Sequence, residues 1–307
     1  MCNGLATSPS SLNQRISDDN KIYESPQELR RAIREKRFIS TTNGHCKGKI
    51  QCNLVVLPEK DAVDFLLFCQ KNKQACPLIE VLDVGSYTPK LTTKTLHSDC
   101  ATSTHSINSN SESNNEEYES LADLRTDLPQ YKIYKHGKLV KETDDVIDFW
   151  PKDSVAFLIG CSFTIDAALI ENGIHLRTVE QKTNVPMYNT SIPCTPVGKF
   201  KGNMVVSMKP IKVTDIAKEV LITSRYPHAH GEPVCIGHPE SIGIDSKKLM
   251  EPDYGDPVEV KEDELPVFHC CGVTPQNVLL NCPDLDLVIT HSPGCMFVTD
   301  LDSNTPP

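Results

Sequence analysis

The stretch FLIGCSFTID, residues 157–166, ends an apolar run in Gly160, Cys161 and Ser162 and then changes to helical spacing. A cysteine at a strand-to-helix junction has two chemical uses. The helix N-terminus stabilises a thiolate nucleophile, and its free N–H groups bind an anion, with Ser162 as a polar cap. A third reading is structural, because a small buried thiol is convenient where a chain turns tightly.

Other reactive side chains stand at the ends of apolar segments in the same way. VITHSPG ends in Thr290 and His291, VFHCCGVTPQ in Cys270, Cys271 and Gly272, and ITSRYPHAHGEP presents Arg225, His228 and His230 in a Pro/Gly-rich loop. Strand ends are where open α/β sheets place ligands, so these segments are expected to line one cleft. In RTDLP, Arg125 and Asp127 flank Thr126 before a proline that fixes the backbone. That pair suits a zwitterion, with Arg for a carboxylate and Asp for an ammonium, and equally suits a solvated charge pair at a turn.

His228 and His230 would share a face only in an extended segment, and Cys270 and Cys271 would point to opposite faces of a strand. With no HExxH or paired Cys-x-x-Cys pattern, no metal site is expected. There is also no GxGxxG after the first strand, no Walker loop and no GxSxG elbow, so no nucleotide cofactor is expected.

The elements that must position these residues are legible from spacing and caps. SPQELRRAIREKRF starts a helix, with Ser25 as N-cap, Pro26 in the first turn and Glu28 completing a capping box. IQCNLVVLP is a strand, EKDAVDFLLFCQKNK a helix with Ala62, Phe65, Leu66 and Cys69 on one face, and PLIEVLDVG a further strand. His136-Gly137 makes a hairpin turn, SVAFLIG a buried strand, and TIDAALIENG a helix closed by Gly173. IHLRTVE and NMVVSMKP read as strands, TDIAKEVLITSRY as a helix, and PVFHCCG and LDLVIT as buried strands around a helix that starts at Thr274-Pro275. No internal repeat is visible. The fold expected is a two-lobed mixed α/β protein, sheets with flanking helices.

A single domain of two α/β lobes is expected over residues 25–85 and 119–302, with a disordered tail over 1–24, a disordered Ser/Thr/Asn-rich insert over 86–118 and a short tail over 303–307. The 307 residues carry a formal net charge of -10 and no dense Lys/Arg cluster, which disfavours nucleic acid and anionic membranes as partners. No membrane-length apolar run or signal core is present, and 13 scattered cysteines, an odd number, read as reduced thiols. A cytoplasmic protein is expected, a homo-oligomer is compatible with it, and the zwitterion reading of Arg125 and Asp127 would suit a small carboxylate or amino-acid substrate.

Taken in order, QCNLVVLP, DFLLFCQKN, CPLIEV, RTDLPQYKIY, DSVAFLIGCSF, NVPMY, GKFKGNMVVSMKP, ITSRYPHAHGEPV, PDYGD, PVFHCCGVTPQ and ITHSPGCMFVTD resemble the D-glutamate cyclase family, whose bacterial members are described as hydro-lyases. The resemblance spans residues 30 to 301 apart from the insert. It departs from the family pattern at Cys235 and Cys295, where the pattern has His, and at Asp166, Asn189 and His269-Cys270. The resemblance implies closure of D-glutamate to 5-oxo-D-proline with release of water, a reaction that needs no redox cofactor. Such a reaction needs a carboxylate site, a base for the ammonium and stabilisation of an oxyanion. On that basis Asp127, Cys161, Ser162, His230 and His291 are the catalytic candidates, and Arg125, Thr126, Tyr188, Arg225 and Thr290 the substrate-binding ones. No cofactor and no metal are implied.

Overall fold

The structure is a computed structural model and describes residues 21–90 and 122–304. The expected disorder of the tail and insert falls largely outside the described residues. Two ends of those segments are described: Tyr23 is buried against α1 (Pro26–Arg34), and Tyr87 lies beneath the Arg125 guanidinium, 3.4 Å from its ring centre.

Two antiparallel sheets form the frame. The first runs β2 (Leu78–Val81), β5 (Ser154–Gly160), β1 (Lys49–Pro58), β10 (Val288–His291), β3 (Tyr131–Lys135), β4 (Lys138–Thr143), with β11 (Phe297–Asp302) also paired to β1. The second runs β6 (Met187–Pro193), β7 (Asn203–Lys212), β9 (Glu264–Cys270), β8 (Cys235–Ile236). The helices are α1, α2 (Glu59–Lys71), α3 (Phe163–Glu171), α4 (Arg177–Gln181), α5 (Ile216–Thr223) and α6 (Val273–Leu280). This is the mixed α/β class expected.

Local chemistry accounts for most boundaries. Ser25 Oγ accepts the Glu28 N–H at 3.4 Å with Pro26 in the first turn, whereas the Glu28 carboxylate turns to Lys21 at 3.8 Å instead of closing the box. His136 and Gly137 both take positive φ, 50° and 74°, the conformation a two-residue hairpin turn needs. One element differs from expectation: IHLRTVE does not form a strand, and Arg177–Gln181 is a short helix in which Thr178 is the buried residue. No sheet edge is paired with it, and an extended segment without a ladder partner leaves its backbone groups unsatisfied.

The two strand-to-helix units exchange partners. After β5 the chain enters α3, whose Ile165 and Leu169 pack with Ile211 of β7, Val267 of β9 and Ile222 of α5. After β9 it enters α6, whose Val278 and Leu279 pack with Val55, Phe157 and Ile159 of the first sheet and Phe65 of α2. Each helix thus covers the other sheet, and the two turns that launch them share one apolar cluster with Cys161, Phe163, Val273 and Met296.

A structural repeat underlies this exchange, contrary to the sequence expectation. Cys161 N donates to Gln51 O at 3.0 Å and Thr164 Oγ1 accepts from Gln51 N at 3.0 Å; Cys271 N donates to Val205 O and Thr274 Oγ1 accepts from Val205 N, both at 3.0 Å. Further on, Thr190 Oγ1 donates to Met204 O at 2.7 Å and Thr299 Oγ1 to Ile50 O at 2.9 Å. The matching residues are Cys-x-x-Thr and then Met-aromatic-x-Thr, in Cys161–Thr164 with Met187–Thr190 and in Cys271–Thr274 with Met296–Thr299. So few identities, spread over segments of different length, fall below what inspection of one sequence detects.

Candidate functional site

The two turns meet across Asn53. Its Nδ2 donates to Gly160 O at 2.8 Å, and its amide fills the place a side chain at Gly272 would need, with a Cβ there 2.0 Å from Nδ2. The second position of each turn must therefore be read separately: glycine is required at 272, whereas Ser162 is free to present a hydroxyl. Ser162 stands at the N-cap of α3 with no capping hydrogen bond from its side chain, and Phe163 opens the helix. Cys161 and Cys271 are thiols rather than thiolates, because burial pushes them up to about 12 and about 11, against the opposing effect of the Phe163 and Val273 amides. That disfavours Cys161 as a nucleophile in the resting protein.

One turn into α3, Asp166 forms a buried ion pair with Lys209 of β7, the two side chains 7% and 4% exposed. Lys209 is the charge that sequence inspection passed over; the signal was a lysine inside the otherwise apolar strand NMVVSMKPI. Asp166, Phe163 and Ala167 line a small pocket of about 20 Å³ that shares Lys47, Ile170 and Val179 with a neighbouring cavity of about 330 Å³. Its walls include Phe38, Ile174, Leu176 and Val179, and its rim carries Lys21, Lys47 and Lys182. On a chain of net charge -10, the lining holds three lysines, Lys21 also facing Glu28, against one acid, Glu180, a local excess of positive charge that favours anions.

Behind the first turn lies the loop with His230. The loop crosses Gly160 so closely that a Cβ there would stand 1.8 Å from His228 O. His230 has positive φ, is 1% exposed, and donates Nδ1–H to Gln74 O at 2.8 Å, while Nε2 makes no hydrogen bond among the described residues and the Gly160 carbonyl lies close to the ring. Burial lowers His230 to about 4, outweighing the carbonyls of Gln74 and Gly160, and His269 and Lys209 add to the depression. It is a neutral imidazole able to accept a proton.

The remaining expected residues are dispersed. His291 fills the gap where β1 changes partner from β11 to β10: its Nδ1 accepts the Leu54 N–H at 3.2 Å, and Gln276 holds the ring from α6. It completes a ladder that has no strand partner at that point. Thr290 is buried and donates to His291 O, and Tyr188 donates to Leu249 O, so both hydroxyls are committed to backbone. Asp127 is buried beneath α1, where Arg34 and the Asp123 N–H bond it; burial raises it, opposed by Arg34. Arg125 forks onto Asp123 and, with Thr126, Tyr87 and Arg34, lines a separate cavity of about 340 Å³ that shares no lining residue with the first. Arg225 is exposed just beyond α5. Thus Cys161, Ser162 and His230 come together, while Arg125, Thr126, Asp127, Tyr188, Arg225, Thr290 and His291 do not join them. Among the described residues no group of three or more His, Cys, Asp or Glu side chains is arranged to hold a metal.

The buried histidines make stability depend on pH. His230 and His291 both lie at about 4 in the folded chain against an ordinary 6.5, so the unfolded state binds protons first as pH falls. Their contribution is fully present above pH ~6.5 and is lost progressively as pH drops towards ~4, roughly 3 kcal/mol for each imidazole. Urea midpoints measured at pH 7.5, 6 and 5 are expected to decline steadily; a flat series would show that these rings titrate normally.

Comparison with known proteins places this arrangement. The family described as D-glutamate cyclase matches residues 155–300, which run from β5 to β11 and hold both turns. A "Putative hydro-lyase" of Geobacillus kaustophilus is 45% identical over 90% of this chain and 94% of its own length. One from Thermoanaerobacter pseudethanolicus is 48% identical over 91% of this chain and 95% of its own. A solved structure from Methanococcus jannaschii, titled a nitrogen repressor-like protein, aligns over 90% of this chain with a TM-score of 0.35 and 9% identity, too weak to bear on fold or function. The chain belongs to the D-glutamate cyclase family.

Proposed function

We propose that this protein is a hydro-lyase that closes D-glutamate to 5-oxo-D-proline. The observation that carries the reading is the buried Lys209–Asp166 pair, whose Asp166 lines a small pocket next to the cavity bordered by Lys21, Lys47 and Lys182, with the Ser162 turn and the neutral His230 on the same side of the molecule. Lys209 is assigned to a substrate carboxylate, shared with Asp166. The Ser162 hydroxyl and the Phe163 N–H at the start of α3 are assigned to the oxyanion that forms as nitrogen attacks the γ-carboxyl carbon, the Thr164 and Ile165 N–H groups being bonded to Cys161 O and Ser162 O. His230 is assigned to proton transfer.

The reaction sets the requirement for protons. A C–N bond forms, a C–O bond breaks, and both protons lost by the ammonium leave with the departing oxygen as water. No net proton is gained or lost, so the site needs groups that take protons from nitrogen and return them to oxygen. Incubation of the purified protein with D-glutamate, followed by chiral chromatography, is expected to show 5-oxo-D-proline and no product from L-glutamate. Absence of product, with D-glutamate bound in calorimetry, would instead fit a carboxylate-binding protein without turnover.

A second reading draws on the cleft walls. Phe38, Ile174, Leu176 and Val179 offer apolar surface that glutamate does not use, which favours dehydration of another hydroxy or amino acid with a larger side chain. Water loss from such acids, measured beside D-glutamate turnover, separates the two.

A further inference from the structure

One face of the second sheet carries an unusual set of polar groups. Ser207 and His269 are register partners on β7 and β9, and Lys209 follows two residues after Ser207, so all three project to the same side. Opposite them stand Asp166 of α3, Glu219 of α5 and the loop with His230. The thiols Cys161 and Cys271 at the two turns complete the titratable groups around Lys209.

His269 is fully buried, with Nδ1 facing Gly231 O at 3.1 Å and Nε2 facing Glu219 Oε1 at 2.7 Å. Both partners are acceptors, so Nδ1 carries a proton and a second proton lies between Nε2 and Oε1. Glu219 Oε1 is thereby occupied, while Glu219 Oε2 has no partner among the described residues. The same holds for Ser207 Oγ and His230 Nε2. Buried polar atoms are nearly always paired, so three without a partner on the groups around a single buried histidine call for an explanation.

We propose that Glu219, held by His269 through Oε1 with Oε2 left unbonded, is a second proton carrier of this site and exchanges protons with His230, with the Ser207 side chain rotating between them as the relay. The proposal rests on the cyclase reading and deepens it: two protons leave the substrate nitrogen, and two buried acceptor atoms, His230 Nε2 and Glu219 Oε2, are there to take them. His230 accepts the first proton and passes it by way of Ser207 to Glu219 Oε2, which leaves His230 neutral for the second. Both protons then return to the departing oxygen, so the carriers end as they began. Glu219 and His269 act through His230 and are positioning residues.

Two measurements test this independently. In the free protein labelled with ¹⁵N-histidine, the His230 titration midpoint is expected to differ by at least half a pH unit between wild type and Glu219→Gln, and also Ser207→Ala. Identical midpoints would overturn the proposal whatever the substrate proves to be. With D-glutamate, Glu219→Gln is expected to lower kcat at least tenfold with KM within twofold, and Glu219→Asp to recover part of the loss. An unchanged kcat in a folded Glu219→Gln protein would equally overturn it. Coupled midpoints without any D-glutamate turnover would leave the relay standing and reject the cyclase reading.

Discussion

Replacing Lys209 by methionine is expected to destabilise the protein by about 3–5 kcal/mol, because it leaves Asp166 as an unpaired charge in a site where its side chain is 7% exposed. The ion pair spans the two sheets' territories: Lys209 belongs to β7 of the second sheet, Asp166 to the helix that follows β5 of the first. Its loss therefore loosens the contact that holds α3 against the second sheet. The double variant Lys209→Met with Asp166→Leu is expected to recover most of that stability, since apolar replacements of a buried pair are often neutral or better. Activity should not follow stability. With Lys209 assigned to the substrate carboxylate, both variants are expected to lose roughly 100-fold or more in kcat/KM, equivalent to about 3 kcal/mol. Urea denaturation and D-glutamate turnover on the same preparations separate the two effects. A double variant that regained both stability and activity would remove Lys209 from the site.

The Gly160→Ala variant has the second large expected effect. The new Cβ would stand 1.8 Å from His228 O and 3.0 Å from His228 C, both backbone atoms that no rotamer change can move aside. The loop over the strand end must shift, at a cost near the top of the usual overpacking range, about 3 kcal/mol. The shift carries His230 with it, since that residue follows His228 in the same short loop. Gly173→Ala is the comparison: it meets nothing within 4 Å, and only its φ of 76° opposes it, for a cost of about 1 kcal/mol. A Gly160→Ala protein with wild-type urea midpoint and wild-type turnover would mean that the loop does not rest on the strand end.

Physical reasons separate the features that were legible in the sequence from those that were not. Ser25 and Pro26 mark the start of α1, and the unbroken apolar run of SVAFLIG marks a strand buried on both faces, because caps and periodicity act within a few residues of the chain. The turn at Cys161 and Ser162 was legible for the same reason. RTDLP misled because its charges satisfy one another locally: Arg125 forks onto Asp123, and Asp127 is taken by Arg34 from a helix far away in sequence. His291 misled because a histidine at a strand end looks poised for chemistry, whereas here it replaces a missing ladder partner for Leu54.

By itself the sequence determined the class of fold, most element boundaries, the family and the strand-to-helix turn at Cys161-Ser162, all of which depend on local pattern or on ordered motifs. Only the tertiary structure decided which polar groups share that turn. Lys209, Asp166, His230, His269 and Glu219 come from two strands, two helices and a loop, and they meet because α3 crosses from the first sheet to pack beside α5 on the second. Burial lowers His230 and raises Cys161, so that one rests as a neutral imidazole and the other as a thiol, a consequence of packing that no local pattern carries.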